Sequence, residues 1–307
     1  MGISATVTIG QGRQRLWRSS WGALWAMLLL LPLTGALPAR AAAKAPATIQ
    51  YFPVGPIYEY RWKLLELALA HSPRPGVAEP DRLQPFAEDI TQNRGMQLLQ
   101  SGAIDVIALG TNAEREARML PIKIDILRGM VGFRLLVIRA ADQPRIARMD
   151  AKALRQELTF GLNSQWADLP IMQANGYTIE TSSNYENLFG MLAARRFDAF
   201  PRGLNEADRE LNDRKQSFPQ LAVEKSKALF FHYPVYFWVS KDNAALAQRI
   251  EHGLNAALKD GSFRELFQTY HAAEIARLAK DHRQIIRMNN PILPPGTPAP
   301  DTQWWWR

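Results

Sequence analysis

The chain has 307 residues, a formal net charge of +8 and no cysteine. A chain of this length forms one large domain or two modest ones, and the lack of cysteine excludes structural disulfides and lipid attachment through a thiol. The charges are interspersed, with no long basic run and no nucleic-acid motif, so a nucleic-acid partner is not expected.

The first 43 residues have the layout of a secretory signal peptide. Three arginines within residues 13–18 precede an apolar block over 21–33, and small residues follow it. A block of 13 residues is shorter than the roughly 20 that a membrane anchor needs. A cleaved signal is therefore favoured over an anchor, with cleavage after Ala41 or Ala43. Removing residues 1–43, which hold four arginines and no acid, lowers the net charge to about +4.

Short apolar runs alternate with amphipathic ones in the next hundred residues. Apolar runs bounded by polar residues predict strands, and apolar residues at helical spacing predict helices. The predicted strands cover 47–55, 82–89, 104–110, 122–127 and 132–142, and the predicted helices cover 58–71 and 91–101, the second ending at Gly102.

The same alternation continues to residue 288. The predicted strands cover 158–164, 178–183, 197–203, 221–231 and 232–243, and the predicted helices cover 150–157, 169–175, 183–196, 205–216 and, in three stretches, 244–288. The Pro-rich tail after residue 290 cannot be helical, and we expect Trp304, Trp305 and Trp306 in it to dock on the body of the protein.

Alternation of strands and helices indicates an α/β architecture. Two long β-rich runs, 132–142 and 232–243, flank a compact α/β block and predict a two-strand hinge between two lobes. The predicted organisation is a signal peptide (1–43), the first part of lobe 1 (44–135), lobe 2 (136–231), a helical return to lobe 1 (232–290) and a Pro/Trp-rich tail (291–307).

Several of these segments resemble a known family. The stretches SGAIDVIALG followed by AER, LTFGLNSQWADLPIMQANGY and LFGMLAARRFDAF are similar to motifs of type II periplasmic binding proteins, namely solute-binding family 3 of amino-acid importers. The late helix IEHGLNAALKDGSFRELFQTY matches most specifically, with Asp260-Gly261 and Tyr270 at the family's offsets. The resemblance covers roughly residues 47–271. It implies a divergent member with the two-lobed type II fold, in which each lobe is a mixed sheet flanked by helices.

The resemblance also implies where a ligand carboxylate binds. The family's carboxylate-binding arginine falls on Arg115, with Arg118 as the nearby rival. A guanidinium fork suits a carboxylate because it donates two parallel hydrogen bonds. Family members also hold the carboxylate with backbone amides and a hydroxyl, and these fall on Asn163 and Ser164.

Other candidate ligand contacts come from the same resemblance. Tyr58 and Trp166 are aromatic residues that either stack on a ligand or pack in the wall. The family's acid for the ligand ammonium falls on Gly203, so the usual carboxylate is absent and Glu206 is the nearby acid that can substitute. Arg202 in the cleft opposite Arg115 would favour an anionic ligand, and the alternative is an Arg202–Glu206 pair across one helical turn.

We therefore expect a non-enzymatic, monomeric periplasmic protein that binds a small polar, anionic solute between its lobes. Its partner would be an inner-membrane ABC importer or a sensor, and no cofactor or metal is expected. One alternative is a dehydratase-like enzyme on the same fold, for which His232 is the candidate base because it lies beside the hinge. The other is a scaffold that has lost ligand binding. The histidines form no ligand-spaced set: His71, His232, His252, His271 and His282.

Overall fold

The computed structural model describes residues 46–53, 58–77, 79–88 and 91–300. The predicted signal peptide and the tryptophans at 304–306 lie outside the described residues. No helix within the described ranges is both long enough and apolar enough to cross a membrane.

Strands and helices alternate along the described chain, as the sequence predicts. The strands are β1 (Thr48–Tyr51), β2 (Arg82–Pro85), β3 (Ile107–Gly110), β4 (Leu120–Ile122), β5 (Phe133–Arg139), β6 (Thr159–Asn163), β7 (Thr178–Ser182), β8 (Phe200–Gly203), β9 (Leu221–Phe231), β10 (Val235–Val239) and β11 (Gln284–Met288). The helices are α1 (Glu59–Ala70), α2 (Gln92–Ser101), α3 (Ala113–Arg118), α4 (Gln143–Ala147), α5 (Ala151–Glu157), α6 (Asp168–Ala174), α7 (Tyr185–Ala193), α8 (Ala207–Asp213), α9 (Ala244–Asp260) and α10 (Ser262–Asp281).

The first lobe is built on β1 to β4 and β10. β10 lies between β3 and β4 and is antiparallel to both, while β1 and β2 pair in parallel. A parallel bridge between Tyr51 and Val106 joins the two groups of strands. Val106 and Ala108 face one buried cluster, and Ile107 and Leu109 face another. Burial on both faces explains why β3 reads as a continuous apolar run.

The second lobe is built on β5 to β9. β5 pairs antiparallel with both β8 and β9, while β6 and β7 pair in parallel and are joined to the rest by a bridge between Phe160 and Ala199. Leu135 and Leu136 on β5 point into different buried clusters, so this strand also carries apolar residues on both faces.

The chain crosses from the first lobe to the second between β4 and β5, and returns between β9 and β10. The two crossing segments touch, because a Cβ on Gly132 would clash with the backbone carbonyl of Phe231. Only a residue without a side chain permits this approach. The predicted two-strand hinge thus corresponds to two short connections, and each predicted hinge strand lies within one lobe.

The prediction of a strand over 122–127 is wrong beyond Ile122. Asp125 in this segment accepts hydrogen bonds from the backbone amides of Leu127 (3.0 Å), Gly129 (2.6 Å) and Val235 (3.1 Å). The carboxylate takes the place of a strand ladder for these amides and joins the first crossing to the start of β10.

The C-terminal part differs from the predicted helical return. α10 bends at His271, where the backbone is not helical, and the chain then forms β11, which pairs in parallel with β9. The alternation of buried Ile286 and Met288 with exposed Arg287 is a strand pattern. Residues 284–288 therefore belong to the sheet of the second lobe, and α10 with β11 forms a third connection between the lobes.

Candidate ligand-binding cleft

A cavity of about 850 Å³ lies between the lobes, at the last residues of β3 and β8. Ligands of α/β proteins commonly bind beyond the carboxyl ends of strands. Polar residues from both lobes line it: Tyr58, Tyr60, Arg61, Gln92 and Arg115 from the first, and Gln165, Asp168, Arg202, Glu206 and Arg209 from the second.

Arg115 lies where the resemblance placed it, in the wall of the cavity. The side chain of Asn112 caps α3 by accepting from the Arg115 amide at 2.8 Å, which fixes the start of the helix. The guanidinium donates from Nη1 to the Gly110 carbonyl (2.6 Å) and from Nη2 to Gln92 (3.1 Å). Among the described residues, no carboxylate pairs with it. The rival Arg118 pairs with Glu114 at 3.1 Å and is not in the lining of the cavity.

Arg61 is a second cavity arginine, and the sequence did not single it out. Its Nη1 donates to the Ala108 carbonyl at 3.1 Å, and its guanidinium lies 4.2 Å above the ring of Tyr58. Burial lowers the pKa of Arg61 below its ordinary value. Within the part of the chain described, it has no ion pair. The sequence feature that could have identified Arg61 is a charged residue between two aromatic residues of α1, Tyr60 and Trp62.

Arg202 is fully engaged within its own lobe. Its Nε and Nη2 donate to the two carboxylate oxygens of Glu210 at 2.6 and 2.7 Å, and Nη2 lies 2.9 Å from Glu206. Burial alone would lower the pKa of Arg202, but its bonds to Glu210 and the charge of Glu206 raise it. The alternative pairing with Glu206 is therefore present, together with Glu210, which the sequence did not suggest.

Glu206 fills the space of the side chain that Gly203 lacks. Its Oε2 accepts from the Gly203 amide at 2.9 Å, and a Cβ built on Gly203 would lie 2.9 Å from the same oxygen. The carboxylate of Glu206 lies against Gly203 and is paired there with the positive charge of Arg202, at 2.9 Å.

Asp168 is the first residue of α6 and forms an ion pair with the buried Arg134. Pro170 suits the first turn of a helix, which predicts Asp168 as the N-cap residue, but Ala167 takes that position. The carboxylate instead accepts from Nε and Nη2 of Arg134 at 2.5 and 3.1 Å. Both residues line the cavity, and the Arg134 guanidinium lies 4.8 Å from the ring of Phe231, the last residue of β9.

The structure does not bring Asn163 and Ser164 to the cavity. The side chain of Asn163 is buried, donates to the Ser183 carbonyl (3.1 Å) and accepts from the Gln165 amide (2.9 Å). Ser164 is exposed, and its amide donates to the Ser182 carbonyl. These residues hold the loop, and it is the following residues, 165–168, that line the cavity.

The two aromatic candidates both lie in the wall. The guanidinium of Arg61 lies 4.2 Å above the ring of Tyr58. The ring of Trp166 lies parallel to Phe200 at 6.0 Å and 4.5 Å below the guanidinium of Arg202. Trp166 therefore packs in the wall and supports Arg202 by a cation–π contact.

His271, at the bend of α10, also lines the cavity and was not predicted there. The residue is 7% exposed, its ring lies 4.8 Å from Tyr60, and its Nε2 has no hydrogen-bond partner among the described residues. Burial, with a smaller effect of Arg61, lowers the pKa of His271 to about 4, so the ring is neutral near pH 7. His232, the candidate base, lies outside the lining. No three His, Asp or Glu side chains of the described ranges gather as a metal site would require.

Comparisons with known proteins agree with this architecture. No protein-family model matches the chain, and no curated protein matches it. Among solved structures it is similar to the periplasmic VFT2 domain of Bordetella pertussis BvgS, with a TM-score of 0.52 at 17% identity over 73% of this chain and 92% of that one. An ancestral arginine-binding protein gives a TM-score of 0.49 at 15% identity over 74% and 99% of the two chains.

The fold is therefore that of the type II periplasmic binding proteins, also called the Venus flytrap fold. Two mixed α/β lobes stand on either side of a cleft, and crossing segments of the chain join them. The resemblance of the motifs predicted this fold, and the structure confirms it.

Proposed function

We propose that the protein binds a small anionic solute between its two lobes. The observation that carries the proposal is that Arg61 and Arg115 line the cavity without an acidic partner among the described residues. An unpaired charge that leaves water on closure of a cleft is unfavourable unless an opposite charge meets it. An anionic ligand supplies that charge.

The other charged residues of the cavity also favour a negatively charged ligand. Arg134 is paired with Asp168, Arg202 with two glutamates, and Arg214 with Glu186 at 2.5 Å. The exposed Arg209 also lines the cavity, and Asp213 is an exposed acid at its edge. With the internal pairs set aside, arginine outnumbers acid in the lining.

We propose binding without catalysis. A general acid or base needs a carboxyl or imidazole that exchanges a proton near neutral pH. Burial would raise the pKa of Glu210, but the bonds from Arg202 lower it below the ordinary value. Glu210 thus acts as a fixed counterion, and no acid among the described residues bonds to the neutral ring of His271 to orient it.

We propose that the protein is located in the bacterial periplasm, because residues 1–43 are predicted to be a signal peptide. The proposed partner is an inner-membrane ABC importer or a membrane sensor, to which a monomer would present its closed form. Hinged closure on a ligand is the usual motion of periplasmic binding proteins.

Thermal unfolding of residues 44–307 against a panel of solutes tests the proposal. The panel contains mono- and dicarboxylates, amino acids of each charge, short peptides and sugars. A ligand at 100 times its Kd adds about 2.7 kcal/mol of stability, which raises Tm by at least about 2 °C for a chain of this size. We expect shifts from anions only, reduced in Arg115→Gln and kept in the matched control Arg118→Gln. Shifts from sugars or cationic amino acids that persist in Arg115→Gln contradict it.

A further inference from the structure

Arg61 and Arg115 are fixed at two separate points along one strand. Arg61 donates to the carbonyl of Ala108 and Arg115 to the carbonyl of Gly110, two residues further along β3. Carbonyls two residues apart point to the same edge of a strand, and a strand rises by about 3.3 Å per residue. The two anchor points are therefore about 7 Å apart, on the edge of the first lobe that faces the cleft.

Each guanidinium keeps donors for a ligand. An arginine has five N–H donors. The described contacts use one donor of Arg61 and, with the bond to the Tyr233 hydroxyl included, three of Arg115. A single guanidinium satisfies one carboxylate through two parallel hydrogen bonds. One acidic group bound at Arg115 would leave the charge of Arg61 without a counterion.

His271 supplies a second hydrogen-bonding group on the side of the cavity where Arg61 lies. The ring of His271 packs on Tyr60, the residue before Arg61, and lines the same cavity. Its Nε2 is buried and without a partner among the described residues. A buried polar atom of this kind is unfavourable until a hydrogen bond satisfies it. Arg115 instead lies beside Gln92, at another part of the lining.

We propose that the cavity has two acid-binding subsites, one at Arg115 and one at Arg61 with His271, and that its solute is a short dicarboxylate. The inference rests on the proposed function and narrows it to a class of ligand. In the bound state one carboxylate accepts from Arg115. The other carboxylate accepts from Arg61 and from the Nε2–H of the neutral His271 ring.

Calorimetric titration of residues 44–307 with glutarate, and with valerate as the matched monocarboxylate, tests this inference. We expect glutarate to bind at least about tenfold more tightly than valerate, because the second carboxylate gains a charge-assisted hydrogen bond. Arg61→Gln and Arg115→Gln each bring the ratio of the two affinities close to one, and Arg118→Gln leaves it unchanged. Succinate and adipate in place of glutarate define the chain length.

The titrations distinguish failure of the second subsite from failure of the proposed function. Equal affinities for glutarate and valerate in the wild type, weakened equally by Arg61→Gln and Arg115→Gln, overturn the second subsite and leave an anion site with one carboxylate. Absence of binding by every carboxylate overturns the proposed function as well.

Three further experiments support the interpretation of the titrations. Far-UV circular dichroism and Tm establish that each variant is folded, and Arg61→Lys, which keeps the charge, should retain part of the preference for glutarate. In NMR spectra the His271 ring nitrogens should shift on addition of glutarate and not on addition of valerate. An unchanged His271 signal with bound glutarate contradicts the role of His271.

Discussion

Arg202 and Glu210 form a bidentate ion pair in the wall of the cleft, with N–O distances of 2.6 and 2.7 Å. Both side chains are 9% exposed. The pair explains why an arginine at the end of β8 does not by itself make an anion site, because its charge is already balanced inside the second lobe.

Loss of Glu210 should destabilise the protein. Glu210→Gln leaves Arg202 buried with Glu206 as its remaining acid, and breaking a buried ion pair by removing one partner costs about 3 kcal/mol or more. Chemical denaturation measures the free energy of unfolding. Glu251→Gln, at an exposed position on α9, is the control and should change stability by less than about 0.5 kcal/mol. A similarly small effect of Glu210→Gln would show that the pair is not a structural element.

Stability should fall in acid because of His271. Its ordinary pKa is 6.5 and its folded pKa is about 4, so the unfolded state binds a proton that the folded state excludes. The contribution is fully present above pH 6.5 and is lost as the pH falls from 6.5 towards 4, a loss of about 3 kcal/mol. Arg61, the charged residue that lowers this pKa, lies on the facing helix α1.

The measurement compares wild type and His271→Asn by denaturation at pH 7.5 and pH 4.5. The difference in unfolding free energy between the two proteins should shrink at the lower pH. The comparison with the variant removes the contributions of other titrating groups, such as His232, whose pKa burial also lowers. A difference that is the same at both pH values would contradict a neutral, buried ring.

The third connection between the lobes, α10 with β11, should be essential to the stability of the second lobe. Ile286 on β11 is 8% exposed and packs in the cluster behind β9. Ile286→Ala should lower the free energy of unfolding by about 2–5 kcal/mol, as deletion of buried side chains does. Arg287→Ala, at the exposed neighbouring position, should have a smaller effect. Equal effects of the two substitutions would show that β11 is not part of the core.

The fold was predictable in part because β3, β5 and β10 are buried on both faces and some helices have clear ends. Gly102 ends α2 in the left-handed conformation, as predicted, and Thr91, the first residue of the predicted helix, is its N-cap. The spacing of Ser183 and Glu186 predicts a capping box at the start of α7. Asn184 caps the helix instead, and its side chain accepts from the Asn187 amide at 3.2 Å. Residues 284–288 were misread because a short amphipathic strand after a long helix has too few residues to show its period.

The site was predictable only in part. Arg115, Arg202 and Glu206 do line the cavity, but their states depend on residues that the chain brings together only on folding. The partner of Arg202 is eight residues away, beyond the reach of helix-spacing rules. Arg61 was not singled out, and His271 was named only among histidines without ligand spacing. Each lies in a helix next to aromatic residues, where the sequence pattern indicates packing.

The most direct test of the central claim is the affinity of residues 44–307 for the tightest-binding anion of the panel, measured by calorimetry in four proteins. These are the wild type, Arg115→Gln, Arg202→Gln and Arg118→Gln. The account predicts that Arg115→Gln weakens binding by at least about tenfold, and that Arg202→Gln weakens it less because Arg202 is already paired. Arg118→Gln should bind as the wild type does. Unchanged affinity in Arg115→Gln, or a larger loss in Arg202→Gln, would contradict an anion site centred on the first lobe.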